Sequence, residues 1–119
     1  MARGFTHLLQ PGRIGSMTVR NRLVMSPMET MYGTPDGLPS ERTRDYFAAR
    51  AKGGVGLITV GATGIDHHHP ETPGGLHRGT DAAVDAHRAL VEAVHERGAK
   101  IQLQIVHAGP DGLDRRCTV

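Results

Sequence analysis

Apolar residues gather in three short runs, separated by two stretches in which they recur at helical spacing. Leu23-Val24-Met25 is the first run and ends in Ser26-Pro27. Its length and branching predict a buried strand over 22–26, expected to stop at Ser26 because Pro27 cannot donate the next ladder hydrogen bond. The second run, 55–62, is almost continuously apolar or small, which suits a parallel strand covered on both faces. The third, 100–107, alternates: Ile101, Leu103 and Ile105 share one face, and Gln102, Gln104 and Val106 share the other. Two amides thus fall where a core packed against helices would reject them.

Between these runs lie two helices. Ser40 offers an N-cap hydroxyl, Glu41 a first-turn carboxylate, and Thr43, Tyr46, Phe47 and Ala51 a narrow buried stripe that ends at Gly53-Gly54. Thr80 caps the second helix, with Asp81 and Asp85 near its start, His95 and Arg97 near its end, and Gly98 as the left-handed stop. Ala83, His87, Leu90, Val91 and Val94 form its stripe. Ahead of the first strand, Pro11-Gly12 and Gly15-Ser16 flank a small hairpin within 5–21. The stretch 63–79, with His67-His68-His69-Pro70 and Pro73-Gly74-Gly75, has no periodicity and reads as a long surface loop.

The resulting order is β-α-β-α-β, with helices long enough to cross between parallel strands. No Gly-x-Gly-x-x-Gly follows a strand, which argues against a doubly wound dinucleotide-binding domain. A (β/α)8 TIM barrel accounts better for glutamines alternating with aliphatics, because one face of each strand looks into the barrel. Such a barrel needs about 250 residues, so the expected fold is an incomplete one: a hairpin, then three βα positions, with unpaired edges at the first and third strands. Ser26, Pro27, Met28, Ala62 and Gln104 would then converge at one mouth, the carboxyl ends of consecutive strands.

Composition changes this picture little. The 119 residues are 38% hydrophobic and 22% charged, with 16 glycines and 7 prolines that mark tight turns. A formal net charge of +2 without a dense basic cluster argues against nucleic acid. Cys117 is the single cysteine, so no internal disulfide framework exists. No apolar stretch approaches the roughly 20 residues of a membrane span, and the expected compartment is the cytoplasm.

At this point the motifs resemble a known family. Asn21-Arg22-Leu23-Val24-Met25-Ser26-Pro27-Met28, the run Gly53-Gly54-Val55-Gly56-Leu57-Ile58 with Ala62-Thr63-Gly64 after it, and Gln104-Ile105-Val106-His107-Ala108-Gly109 together resemble the old yellow enzyme family, in particular its 2,4-dienoyl-CoA reductase and NADH:flavin oxidoreductase branch. The resemblance covers residues 5–109. It implies FMN at the mouth of the barrel, NADH or NADPH as reductant, and reduction of activated alkenes, either α,β-unsaturated or dienoyl. Ser26, Pro27 and Met28 look like the segment lining the flavin ring, with the Met28 backbone amide as a donor. Ala62 looks like the small residue beside the ring, and Gln104 like the carboxamide that meets the pyrimidine end, whose donors and acceptors an amide can match. Glu29 departs from the family pattern, which carries Thr, Cys or His there. The expected partners are a small-molecule alkene and, for the full-length family, a homo-oligomeric copy.

Other residues stay open. Tyr32 is a weak catalytic candidate with two readings, substrate contact above the flavin or a cap on its own loop. No metal site is expected, since adjacent histidines splay apart and no carboxylate or cysteine sits at ligand spacing beside His67, His68 and His69. His107 is read as packing at its strand end. The family's substrate-activating pair, proton-donor tyrosine and phosphate-binding loops come from later in such chains. Residues 110–119, after Gly109, resemble nothing expected there and suggest premature termination or a shifted frame. Two function classes therefore stand: the N-terminal part, residues 1–109, of an FMN-dependent oxidoreductase, and a non-catalytic fragment that needs a complementing chain or does not fold stably.

Overall fold

The computed structural model describes residues 4–68 and 70–112. His69, Cys117 and most of the atypical tail therefore lie outside the described residues.

The chain begins with an antiparallel hairpin of β1 (Gly12–Ile14) and β2 (Met17–Val19), turned at Gly15 with φ 59°. A parallel sheet follows, made of β3 (Val24–Met28), β4 (Leu57–Gly64) and β6 (Lys100–Val106), with β4 in the middle. Two helices connect these strands: α1 (Glu41–Lys52) and α2 (Asp81–His95). Both helix starts follow the sequence reading. Ser40 Oγ accepts the Thr43 amide at 3.1 Å while Thr43 Oγ1 accepts the Ser40 amide at 3.3 Å, a reciprocal capping box, and Thr80 Oγ1 accepts the Ala83 amide at 3.2 Å.

The core lies between the two helices and one face of the sheet. Phe47 and Ala51 of α1, Leu90 and Val94 of α2, and Ile58 and Val60 of β4 are buried together, with Met25, Ile101 and Leu103 packed against them. Burial of each large side chain here stabilises the fold by about 1.5–3 kcal/mol. Val91, placed on the buried stripe by its spacing, is only half-buried.

Several strand boundaries differ from expectation. β3 does not stop at Ser26 but continues through Pro27 to Met28, and it begins at Val24 rather than at Arg22. The register shifts between Met25, which pairs with Ile58, and Met28, which pairs with Val60. Pro27 thus sits in a bulge of an edge strand, where its missing N–H breaks no ladder bond. β4 likewise runs to Gly64, two residues beyond Ala62, with a second irregularity between Val60 and Thr63 opposite β6. The supposedly structureless stretch 63–79 also holds a strand of two residues, β5 (Leu76–His77), which pairs with Thr63 and Gly64. No periodicity can announce an element that short.

At the amino ends of the strands, Arg20 clamps the hairpin to the rest. Its guanidinium donates to the carbonyls of Arg97 at 2.7 Å and Val55 at 2.8 Å, and to that of Ala51. Asn21, buried beside it, donates to the Gly54 carbonyl at 2.7 Å and accepts the Leu23 amide at 3.1 Å. Gly56 is required there, because a Cβ would lie 2.6 Å from both Asn21 oxygens.

Candidate functional site

The opposite, carboxyl ends of β3, β4 and β6 carry every residue singled out for the site. On β6, Ile101 and Leu103 pack into the core, so alternation puts Gln102 and Gln104 on the other face of the sheet. Gln102 Nε2 donates to Thr59 Oγ1 of β4 at 3.0 Å across that face. Gln104, one step nearer the mouth, is exposed, and its carboxamide has no hydrogen-bond partner among the described residues.

On β3, Met25 turns toward the helices, and Val24 and Ser26 alternate with it to the open face. Ser26, Pro27 and Met28 are all exposed, Met28 by 52%. Ala62 is half-buried and joins Met28, Glu29 and Gly61 around a shallow notch between the two strand ends. Gly61 decides how close these ends come. A Cβ there would fall within the van der Waals radii of the Met28 carbonyl and the Glu29 amide, so only glycine lets β4 meet this peptide. The structure thus brings Ser26, Pro27, Met28, Ala62 and Gln104 to one end of the sheet.

The loops above are fastened to one another. Gly33 donates to the Gly74 carbonyl at 2.9 Å, and the His77 amide to the Gly37 carbonyl at 3.1 Å. Glu29 accepts the Thr72 hydroxyl, which links the exit of β3 to the loop after β4. Met31 takes a left-handed φ of 54° that a long side chain rarely adopts, so the mouth holds some backbone strain. Tyr32 is held against α1: its ring meets Tyr46 edge-on at 5.9 Å, Arg42 lies over it at 3.8 Å, and its carbonyl accepts the Thr43 hydroxyl at 2.9 Å.

Sequence reasoning missed His77. It is buried, its Nε2 lies 2.8 Å from the Asp36 carbonyl and its Nδ1 accepts the Gly79 amide at 3.1 Å, so those partners place the ring proton on Nε2. The signal available was Gly37, whose φ of 71° and lack of a Cβ make room for that ring. A cavity of about 650 Å³ lies next to it, lined by Asp36, Leu38, His67, Thr72, His77 and Thr80 among others. It is separate from the strand-end residues, which no further strand encloses among the described residues.

The histidine run also differs from expectation. Asp66, His67 and His68 do come together, each offering a ligand atom within 4.8 Å of the others. No helix among the described residues is long and apolar enough to cross a membrane.

Comparison with known proteins identifies relatives of this arrangement. Residues 7–116 match the NADH:flavin oxidoreductase / NADH oxidase family. The chain is 43% identical over 106 residues to an NADH oxidase of Thermoanaerobacter brockii, covering 88% of this chain and 16% of that one. It is 41% identical over 106 residues to an NADPH dehydrogenase of a Geobacillus strain, covering 87% and 31% respectively. In structure it resembles the old yellow enzyme from Trypanosoma cruzi, with a TM-score of 0.80 at 32% identity over 91% of this chain and 29% of that one. The chain thus spans less than a third of the length of each.

Proposed function

Because the chain belongs to the NADH:flavin oxidoreductase / NADH oxidase family, we propose that it forms the first three βα positions of a (β/α)8 barrel that holds FMN at its mouth. The fold and the family's oxidoreductase character come from the relatives; the roles of individual residues are our reading. The observation that carries it is the set of groups at the strand ends, where Gln104 presents an unpartnered carboxamide on β6, the exposed Ser26-Pro27-Met28 segment lies on β3, and the small Ala62 is on β4 between them. That donor set fits a flat heteroaromatic ring whose polar edge both donates and accepts hydrogen bonds.

In this reading Gln104 holds the pyrimidine end of the flavin and the Met28 backbone amide donates to the ring. Pro27 fixes the bulged segment, and Ala62 leaves room for the ring to approach. Bound FMN supplies the chemistry, accepting hydride from NADH or NADPH and passing it to an activated alkene. Tyr32, tied to α1 by Tyr46 and Arg42, anchors its loop and does not contact substrate. Proton donation and substrate activation fall to residues outside this chain.

A second reading rests on the open face. Val24 is more than half exposed there, as are Met28 and Ile105 farther along β3 and β6, the sheet's edge strands. A chain with that surface binds flavin only when a complementing segment covers it. Intact mass and the visible spectrum of the gently purified native gene product separate the readings. Flavin absorption that falls in a Gln104→Leu variant supports the site. A 119-residue product that takes up FMN neither alone nor with the remaining barrel segment would sink both.

A further inference from the structure

The sequence run Asp66-His67-His68 leaves β4 and enters the loop toward α2, outside the strand-end site. Extended backbone would send consecutive side chains to opposite sides. Here it does not, for reasons visible in the hydrogen bonds. Asp66 Oδ1 accepts the His68 amide at 2.9 Å, which turns the chain back on itself. The rings of His67 and His68 lie 3.8 Å apart, centroid to centroid, inclined at 40°.

His67 is also held from its other side. Its ring lies 5.6 Å from that of His77, itself fixed by Asp36 and Gly79. Gly79 closes on it tightly: a Cβ there would stand 3.1 Å from the His67 amide nitrogen and 3.2 Å from its Nδ1. One ligand of the three is thus set by tertiary packing, and the other two by the turn.

From this geometry we infer that Asp66, His67 and His68 form a binding site for a borderline divalent transition-metal ion, of which Zn²⁺ and Ni²⁺ are the type. Two imidazoles and one carboxylate, each with a donor within 4.8 Å of the others, match the ligand preference of such ions. They do not suit Ca²⁺ or Mg²⁺, which take oxygen donors throughout. Remaining coordination positions go to water, since His67 and His68 are exposed. Because His67 also lines the 650 Å³ cavity, the ion would stiffen one wall of it and, through His77 and Gly79, the approach to the α2 cap at Thr80.

Calorimetric titration of the chain with Zn²⁺ alone tests this. The expected result is one high-affinity ion per chain, with affinity reduced about tenfold or more in His67→Ala, in His68→Ala and in Asp66→Asn. The exposed imidazoles can be removed without loss of fold, which circular dichroism of each variant verifies. Failure of the unaltered chain to bind would overturn the site, as would binding that survives either histidine substitution. Loss with the histidines but indifference to Asp66→Asn would also overturn it, since a plain histidine run has no use for the carboxylate. A second readout is independent of affinity: paramagnetic Ni²⁺ should broaden the proton resonances of His67, His68 and His77 and spare His95, at the far end of a helix of 15 residues. Uniform broadening of all histidines would count against a defined site.

Discussion

Single residues at the mouth are constrained by backbone as much as by chemistry. Gly61 shows this: a Gly61→Ala substitution must push β4 off the Met28–Glu29 peptide, and a loss of about 1–3 kcal/mol is expected in urea unfolding. A chain that tolerates alanine there with an unchanged midpoint would show that the two strand ends are not in contact. His87 makes a different prediction. Its Nδ1 donates to the Ala83 carbonyl at 2.7 Å, while Nε2 is buried without a partner among the described residues. Burial pushes its imidazole below the ordinary value of 6.5; the bond to Ala83 opposes this, and the charge of Arg78 adds to it. The unfolded chain therefore takes a proton near pH 6.5 that the folded chain refuses, and the His87 contribution to stability falls as pH drops below that value. The slope reaches at most about 1.4 kcal/mol per pH unit. His87→Leu should remove this part of the pH dependence between pH 7 and 5, read from denaturation midpoints. Legibility at this scale was uneven. Gln104 stood out because an amide among aliphatics demands a reason, but the neighbours that give His77 its role lie up to 41 positions away in sequence.

Elements were easier to read where side chains alone specify them. Ser40 and Thr80 announced both helix starts because capping is local, and Ser40→Ala is expected to cost about 1 kcal/mol. That variant also removes a donor from the Tyr32 carbonyl, so amide exchange should quicken in the loop before α1 as well as in its first turn. Protection lost in the helix alone would mean that Ser40 does not hold the loop. Strand ends were misread where tertiary pairing overrides the local rule. Pro27 forbids one ladder bond, but a bulge makes that bond unnecessary, and β5 exists only because β4 extends far enough to pair with it. Arg20 was not singled out at all, since its carbonyl partners come from two helix ends and the start of a strand. Arg20→Ala should lower stability by about 2–3 kcal/mol, with Arg20→Lys recovering less than half, because an ammonium cannot spread over three carbonyls as a guanidinium fork does.

For the whole molecule, the parallel order was legible because hydrophobic runs, helical spacing and misplaced amides agree with one another. The cavity beside His77 and the convergence of Asp66 with two histidines were not, since both depend on loops meeting in space. Among the described residues the sheet has helices on one face only; Met28 and Ile105 are more than half exposed at the strand ends, and Val24 is so on the open face. Fluorescence of a hydrophobic dye should therefore rise strongly on mixing with the chain alone and fall when the remaining barrel segment is added; a dye-silent chain would indicate that this face is covered. The Arg20 clamp has a consequence for synthesis. The hairpin leaves the ribosome ahead of both helices, but one acceptor of Arg20, the Arg97 carbonyl, comes 77 residues later. At about 5–20 residues per second the guanidinium waits roughly 4–15 s for that partner, so during translation the clamp rests on the Ala51 and Val55 carbonyls alone, incomplete and open to chaperones until the end of α2 has been made.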